Sequence, residues 1–194
     1  MGGTFNPIHT GHLLLAENAR SFFRLDEVWF LPSGCSYMKA QSEVLSADIR
    51  LHMTSLACNT NPYFRVSDIE TKREGYTYTS ETLTILNNRY PEYDFFFLVG
   101  ADTLFSMETW KNPDIIFSKA GILAAVRNGR DPEELQKQAD YLMNKYNARI
   151  SLIPSDTIEI SSSDIRSRRK NGKSIRYLVP DSVLQFIEEK KLYE

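Results

Sequence analysis

The chain is poor in the residues that mark several protein classes at a glance. Two cysteines in 194 residues cannot form the disulfide framework of a small secreted domain, so Cys35 and Cys58 read as ordinary thiols of a reducing compartment. Histidine is equally sparse. His9, His12 and His52 show no metal-ligand spacing with the cysteines, and a zinc site would lack its third and fourth ligands. The longest apolar run, around residues 95–99, is far short of a bilayer span. The start carries no succession of charged, apolar and small residues of the kind that marks a secretory leader. Repeats, low-complexity tracts and Pro-, Gly- or Ser-rich linkers are lacking too. With 23 basic and 25 acidic residues the formal net charge is −2, so no global field draws in nucleic acid or membrane, and any anion site must be local. At 42% hydrophobic and 12% aromatic residues, the chain reads as one soluble globular domain over 1–194, expected in the cytoplasm, with a small helical subregion from about 160 to 194.

What is present is concentrated at the start. Gly2-Gly3-Thr4-Phe5-Asn6-Pro7-Ile8-His9-Thr10-Gly11-His12 places glycines, a hydroxyl and two histidines around one Pro-bearing turn, then runs into the helical pattern of residues 13–19. Glycines let backbone approach an anion closely, and a helix N-terminus aims its N–H groups and the positive end of its dipole at the same point. Spaced i,i+3, His9 and His12 should share one face of the first turn. Plain punctuation before a helix is the bland alternative, weakened by the coincidence of several residue types.

Short apolar runs then alternate with helical patterns, the signature of parallel strands joined by crossover helices. Strands are expected at 27–31, 64–67, 94–99, 121–126 and 150–153, and helices at 11–24, 48–58, 79–88, 132–146, 162–170 and 181–190. Residues 94–99 form the strongest strand, apolar enough to be buried on both faces as a central parallel strand must be. It ends in Gly100-Ala101-Asp102, and ligands of open α/β sheets lie at the carboxyl ends of strands. The fold class is α/β, a Rossmann-like doubly wound parallel sheet.

The first motif resembles the opening signature of the nucleotidylyltransferase superfamily. Ile160-Ser161-Ser162-Ser163-Asp164-Ile165-Arg166 is similar to its second signature, a serine-rich helix start followed by an arginine. Within that superfamily, Lys72-Arg73-Glu74-Gly75 with Tyr78-Thr79 and Thr82 resembles the bacterial nicotinate mononucleotide adenylyltransferases. So do Gly100-Ala101-Asp102 with Trp110, and the tail from Tyr177-Leu178-Val179-Pro180 to Leu192-Tyr193. The resemblance covers nearly the whole chain. It implies that ATP adenylylates nicotinic acid mononucleotide to give deamido-NAD and pyrophosphate, with Mg²⁺ accompanying the triphosphate. By the same resemblance, His9, His12 and Arg166 carry the catalysis. Gly3, Thr4, Phe5, Gly11, Gly100, Asp102, Ser162 and Ser163 complete the ATP site. Thr4, Lys39, Tyr78, Thr79, Trp110 and Arg127 receive the acceptor, with the pyridine ring stacked on Trp110 and its carboxylate near the Tyr78–Thr79 backbone.

The chain departs from the family pattern at three places. Ser36-Tyr37-Met38-Lys39 keeps a lysine where the family carries Pro-Pro-His-Lys, and Arg127-Asn128-Gly129 stands for Arg-Pro-Gly. The family places an apolar strand ahead of the glycines, whereas Met1 here directly precedes Gly2, so a native first strand is expected upstream. The basic run Arg168, Arg169, Lys170, Lys173 and Arg176 reads as a solvated face that raises local potential. Two alternatives stay open on the sequence: a relative acting on phosphopantetheine or an alcohol phosphate, and a nucleotide-binding protein without turnover.

Overall fold

The protein is described here from a computed structural model covering residues 1–34, 44–126, 131–153 and 160–194. It divides into two compact units, Met1–Gly2 with Thr77–Thr157, and Gly3–Tyr76 with Ile158–Glu194. Among the described residues the strands group into two hydrogen-bonded trios, ordered β1-β2-β3 and β4-β5-β6. The registered pairs β2–β3, β4–β5 and β5–β6 are all parallel. The α/β class with parallel strands and crossover helices is as expected.

The unit with residues 3–76 contains helix α1 (Thr10–Phe23), strand β2 (Val28–Pro32), helix α2 (Ala47–Cys58) and strand β3 (Phe64–Val66). Strand β1 (Gly2–Gly3) reaches it at Gly3, whose carbonyl accepts from the Ser33 N–H at 2.8 Å. Helices α6 (Ser162–Lys170) and α7 (Asp181–Glu189) belong to the same unit. Their period-3.6 apolar positions Ile165, Val183, Leu184 and Ile187 are buried, as are Leu15, Ala16 and Ala19 of α1 and Met53 and Ala57 of α2. Each fully buried aliphatic side chain contributes about 1.5–3 kcal/mol, which makes the C-terminal helices a substantial part of this core.

The other unit holds helix α3 (Thr79–Arg89), strand β4 (Phe96–Gly100), 3₁₀ turns at Ala101–Phe105 and Met107–Thr109, helix α4 (Pro113–Lys119), strand β5 (Gly121–Ala125), helix α5 (Pro132–Tyr146) and strand β6 (Ile150–Ile153). Leu104, Met107, Ile116, Ile122, Leu135 and Leu142 are fully buried at its centre. One expectation is corrected here. The strand buried along its whole length is β5, between β4 and β6, whereas β4 begins two residues later than expected and carries Phe96 at 36% exposure. Strand β5 has a hydrogen-bonded neighbour on each side, and at its start the Phe96 ring lies 2.7 Å from where a Cβ on Gly121 would stand, so glycine there leaves room for the bulk of β4. Helix α4 was not expected; its signal is Pro113 in the first helical position after Asn112, on only seven residues.

Candidate active site

The opening turn is assembled around Phe5. This residue has a positive φ of 48° and is 2% exposed, with its ring edge-on to His12 at 5.0 Å and tilted against Phe30 at 5.9 Å. A Cβ on Gly3 would sit 2.8 Å from that ring, so Gly3 is glycine because Phe5 folds over it. Asn6, Pro7, Ile8 and His9 are buried behind it.

Helix α1 starts at Thr10 with His9 in the N-cap position. The His9 N–H donates to Nδ1 of His12 at 3.2 Å, so a histidine plays the part that Glu or Gln plays in a capping box. An Nδ1 that accepts leaves the proton of the neutral ring on Nε2. The two imidazoles stack with centroids 3.5 Å apart. The backbone donors of this turn are partly committed: Thr10 N–H donates to Leu178 O at 2.9 Å, His12 N–H to His9 O at 2.9 Å, and the Thr10 hydroxyl to Tyr177 O at 3.1 Å. The N–H groups of Thr10 and His12 are thus taken up within the protein, and the stacked imidazoles lie at the head of the helix.

Helix α6 is brought to this turn from 155 residues away, the Ser162 hydroxyl donating to Pro7 O at 2.9 Å. Arg166 Nη1 donates to Asn6 O at 3.0 Å. Ser161 caps the helix, its Oγ accepting from Asp164 N–H at 3.1 Å, and lies 3.0 Å from the Ser163 hydroxyl. Ser162 thus spends its hydroxyl on joining the two motifs, while Ser163 is exposed. In the basic run beyond, Arg168 pairs with Asp164 and Arg169 with Glu194.

Three residues of this site escaped sequence reasoning. Arg50 on α2 is 2% exposed and donates to four backbone carbonyls: Thr4 O at 2.7 Å, Ser33 O at 2.6 Å, Leu45 O at 2.9 Å and Gly34 O at 3.3 Å. Burial lowers its affinity for its proton below the ordinary arginine value. Asn6 and Tyr193 join it, the tyrosine hydroxyl donating to Asn6 Oδ1 at 2.9 Å. An arginine in an amphipathic helix and a tyrosine at a chain end carry no local signal of such roles.

The remaining expected residues belong to the unit with residues 77–157. Tyr78 is the N-cap of α3 and Thr79 its first residue, which puts both at the positive end of the helix dipole. Lys111 lies over the Tyr78 ring with Nζ 4.0 Å from its centroid and pairs with Glu81 at 2.8 Å. Trp110 is half-buried and edge-on to Phe97 at 6.2 Å, and its indole N–H is buried with no partner among the described residues. Gly100 ends β4, and the exposed Asp102 follows in the 3₁₀ turn. Lys39 and Arg127 lie outside the described residues.

The chain is similar to known proteins over its whole length. The cytidylyltransferase-like family model matches residues 1–168. A probable nicotinate-nucleotide adenylyltransferase of Lachnoclostridium phytofermentans is 44% identical over 193 residues, spanning 100% of this chain and 96% of its own. One from Exiguobacterium sibiricum is 45% identical with the same coverage. Among solved structures, Plasmodium falciparum nicotinic acid mononucleotide adenylyltransferase complexed with NaAD superposes with a TM-score of 0.81 at 19% identity, over 99% of this chain and 94% of that one, a likeness of fold. The two signature motifs meeting at one turn, the family match and full-length kinship at this level together mean that the chain belongs to the cytidylyltransferase-like family, among its nicotinate-nucleotide adenylyltransferases.

Proposed function

We propose that the protein transfers AMP from ATP to nicotinic acid mononucleotide, forming deamido-NAD and pyrophosphate. The observation that carries this reading is the docking of α6 on the opening turn by Ser162 and Arg166, which gathers His9, His12 and a guanidinium in one unit. In the reaction an oxygen of the acceptor phosphate attacks the α-phosphorus of ATP, and the bond from that phosphorus to the β-phosphate oxygen breaks as pyrophosphate leaves. Little covalent chemistry falls to the protein, so positioning and charge stabilisation dominate. His12 donates from Nε2 to an α-phosphate oxygen as charge builds there, and His9 binds a neighbouring oxygen. Arg166 and Ser163, with the backbone N–H of Ser162 at the head of α6, hold the β- and γ-phosphates, while the Ser162 hydroxyl keeps α6 on the opening turn. Gly3, Thr4, Phe5 and Gly11 shape the turn that faces the phosphates, and Gly100 and Asp102 serve the nucleoside. Among the described residues no three His, Cys, Asp or Glu side chains gather as cation ligands. Mg²⁺ would accompany ATP as part of the substrate, offsetting the charge of the triphosphate.

Tyr78, Thr79 and Trp110 receive the acceptor's pyridine ring, and Lys39 and Arg127 its phosphate side. The α3 N-terminus favours a carboxylate, while the charge of Lys111 beside Tyr78 is offset by its ion pair with Glu81. No helix among the described residues is long and apolar enough to cross a membrane, and a reducing, ATP-rich cytoplasm suits both the thiols and the substrates. The test is pyrophosphate release with nicotinate and nicotinamide mononucleotides side by side. A charge-assisted hydrogen bond contributes about 1.5–3 kcal/mol, so kcat/KM should favour the acid by at least ~10-fold. Equal values refute the placement of the carboxylate at α3, and no release with either refutes the activity.

A further inference from the structure

The last turn of the chain bends back on the first. After α7, Lys191 and Tyr193 adopt left-handed backbone at φ 50° and 65°, uncommon for such residues. This geometry brings the Tyr193 hydroxyl to Asn6 Oδ1, 187 residues away in sequence. Asn6 is 3% exposed and is a point of convergence: Oδ1 also accepts from Leu45 N–H at 3.4 Å, and the main-chain carbonyl of Asn6 accepts from Arg166 Nη1. We propose that Tyr193 is a positioning residue of the phosphate site, fixing Asn6 and thereby the carbonyl on which the Arg166 guanidinium rests. The inference builds on the reading of Arg166 as a ligand of the ATP phosphates.

The surroundings fit that role. Burial holds the phenol in its protonated, donating form, and both Arg50 and Arg166 act on it electrostatically. Anchoring of the tail as such has a separate device, because the neighbouring Glu194 pairs with Arg169 of α6 at 2.8 Å. The two contacts can therefore be removed independently.

The experiment titrates the non-cleavable α,β-methylene analogue of ATP calorimetrically into the wild-type protein, Tyr193→Phe, Glu194→Gln, Arg166→Ala and the Tyr193→Phe/Arg166→Ala double variant. Loss of one hydrogen bond predicts a Kd for Tyr193→Phe weakened by about 3–10-fold. Glu194→Gln should change it less than about 2-fold, on the scale of an exposed ion pair. In the Arg166→Ala background Tyr193→Phe should add nothing, since residues acting through one link are not additive. Wild-type affinity in Tyr193→Phe, equal losses from the Tyr193 and Glu194 variants, or losses that multiply in the double variant would overturn the proposal. If Tyr193→Phe fails to fold, Asn6→Ala removes the same bond from its other end and carries the same expectation. Arg166→Ala binding as tightly as wild type would instead overturn the assignment of Arg166, and the proposal with it.

Discussion

His12 has two separable jobs, and a pair of substitutions distinguishes them. Its Nδ1 accepts the His9 N–H at the head of α1, and its ring stacks on His9 and meets the edge of Phe5. His12→Ala removes all of these together with the Nε2 donor. The lost cap is worth about 1 kcal/mol and the aromatic contact about 0.5–1.5 kcal/mol. For a chain of this size each kcal/mol moves Tm by about 2–4 °C, so Tm should fall by about 3–10 °C. Typical stabilities of 5–15 kcal/mol leave the variant folded at 25 °C. Losing one preorganised donor to the transition state should lower kcat by about 10²–10³, or about 2.7–4 kcal/mol. His12→Gln is the control, because Gln in the third helical position can accept from the N-cap N–H and restore the cap. Its Tm should lie only about 1–6 °C below wild type, the share of the lost aromatic contact, while kcat stays about 10² or more below wild type. The assay is pyrophosphate release at saturating ATP and acceptor, beside thermal unfolding of the same preparations. A kcat within about 3-fold of wild type in either variant would remove His12 from the chemistry.

Three further outcomes follow from the same structure. Arg50→Met should cost at least about 3 kcal/mol in chemical denaturation, because it strands the carbonyls of Thr4, Ser33 and Leu45; stability within about 1 kcal/mol of wild type would contradict that accounting. Gly3→Ala drives a Cβ into the Phe5 ring and displaces the face on which His12 rests, so kcat should fall by about 10-fold or more, whereas Gly172→Ala, in open space but at a φ of 66°, should cost some stability and leave kcat in place. Cys58 is buried and its thiol is pushed up to about 12 from an ordinary 9.0, so about one molecule in ten thousand carries the thiolate at pH 8. Iodoacetamide should leave Cys58 unmodified in the native protein and label it after denaturation, as peptide mass spectrometry would show. Because the folded value is the higher one, the neutral thiol's contribution to stability is intact below pH 9 and is lost as pH rises from about 9 towards 12.

Local order could be read from the chain because it depends on neighbours in sequence. Helix α5 starts where Asp131-Pro132 says it should, with the Asp131 carboxylate accepting from Glu133 N–H, and the serine-rich start of α6 caps itself through Ser161. The i,i+3 spacing of His9 and His12 put their rings on one face, and the two glycine- and serine-bearing motifs announced phosphate chemistry. What escaped was everything decided by residues far apart in the chain. Whether residues 94–99 or 121–125 formed the more buried strand depended on strand order, β5 lying between β4 and β6, which has no local trace. Ser162 was expected only as a phosphate ligand, and nothing in the sequence told that its hydroxyl also ties α6 to Pro7, because that partner exists only once α6 docks. Arg50 carries no signal in the sequence beyond lying in an expected helix; folding buries it, and four carbonyls from three chain segments take up its donors at once. Residue types and spacings thus determined which chemistry the chain carries, through interactions within a helical turn or a strand. Burial and long-range hydrogen bonding, which exist only in the folded state, decided which of those residues remain to meet a ligand and which hold the others in place.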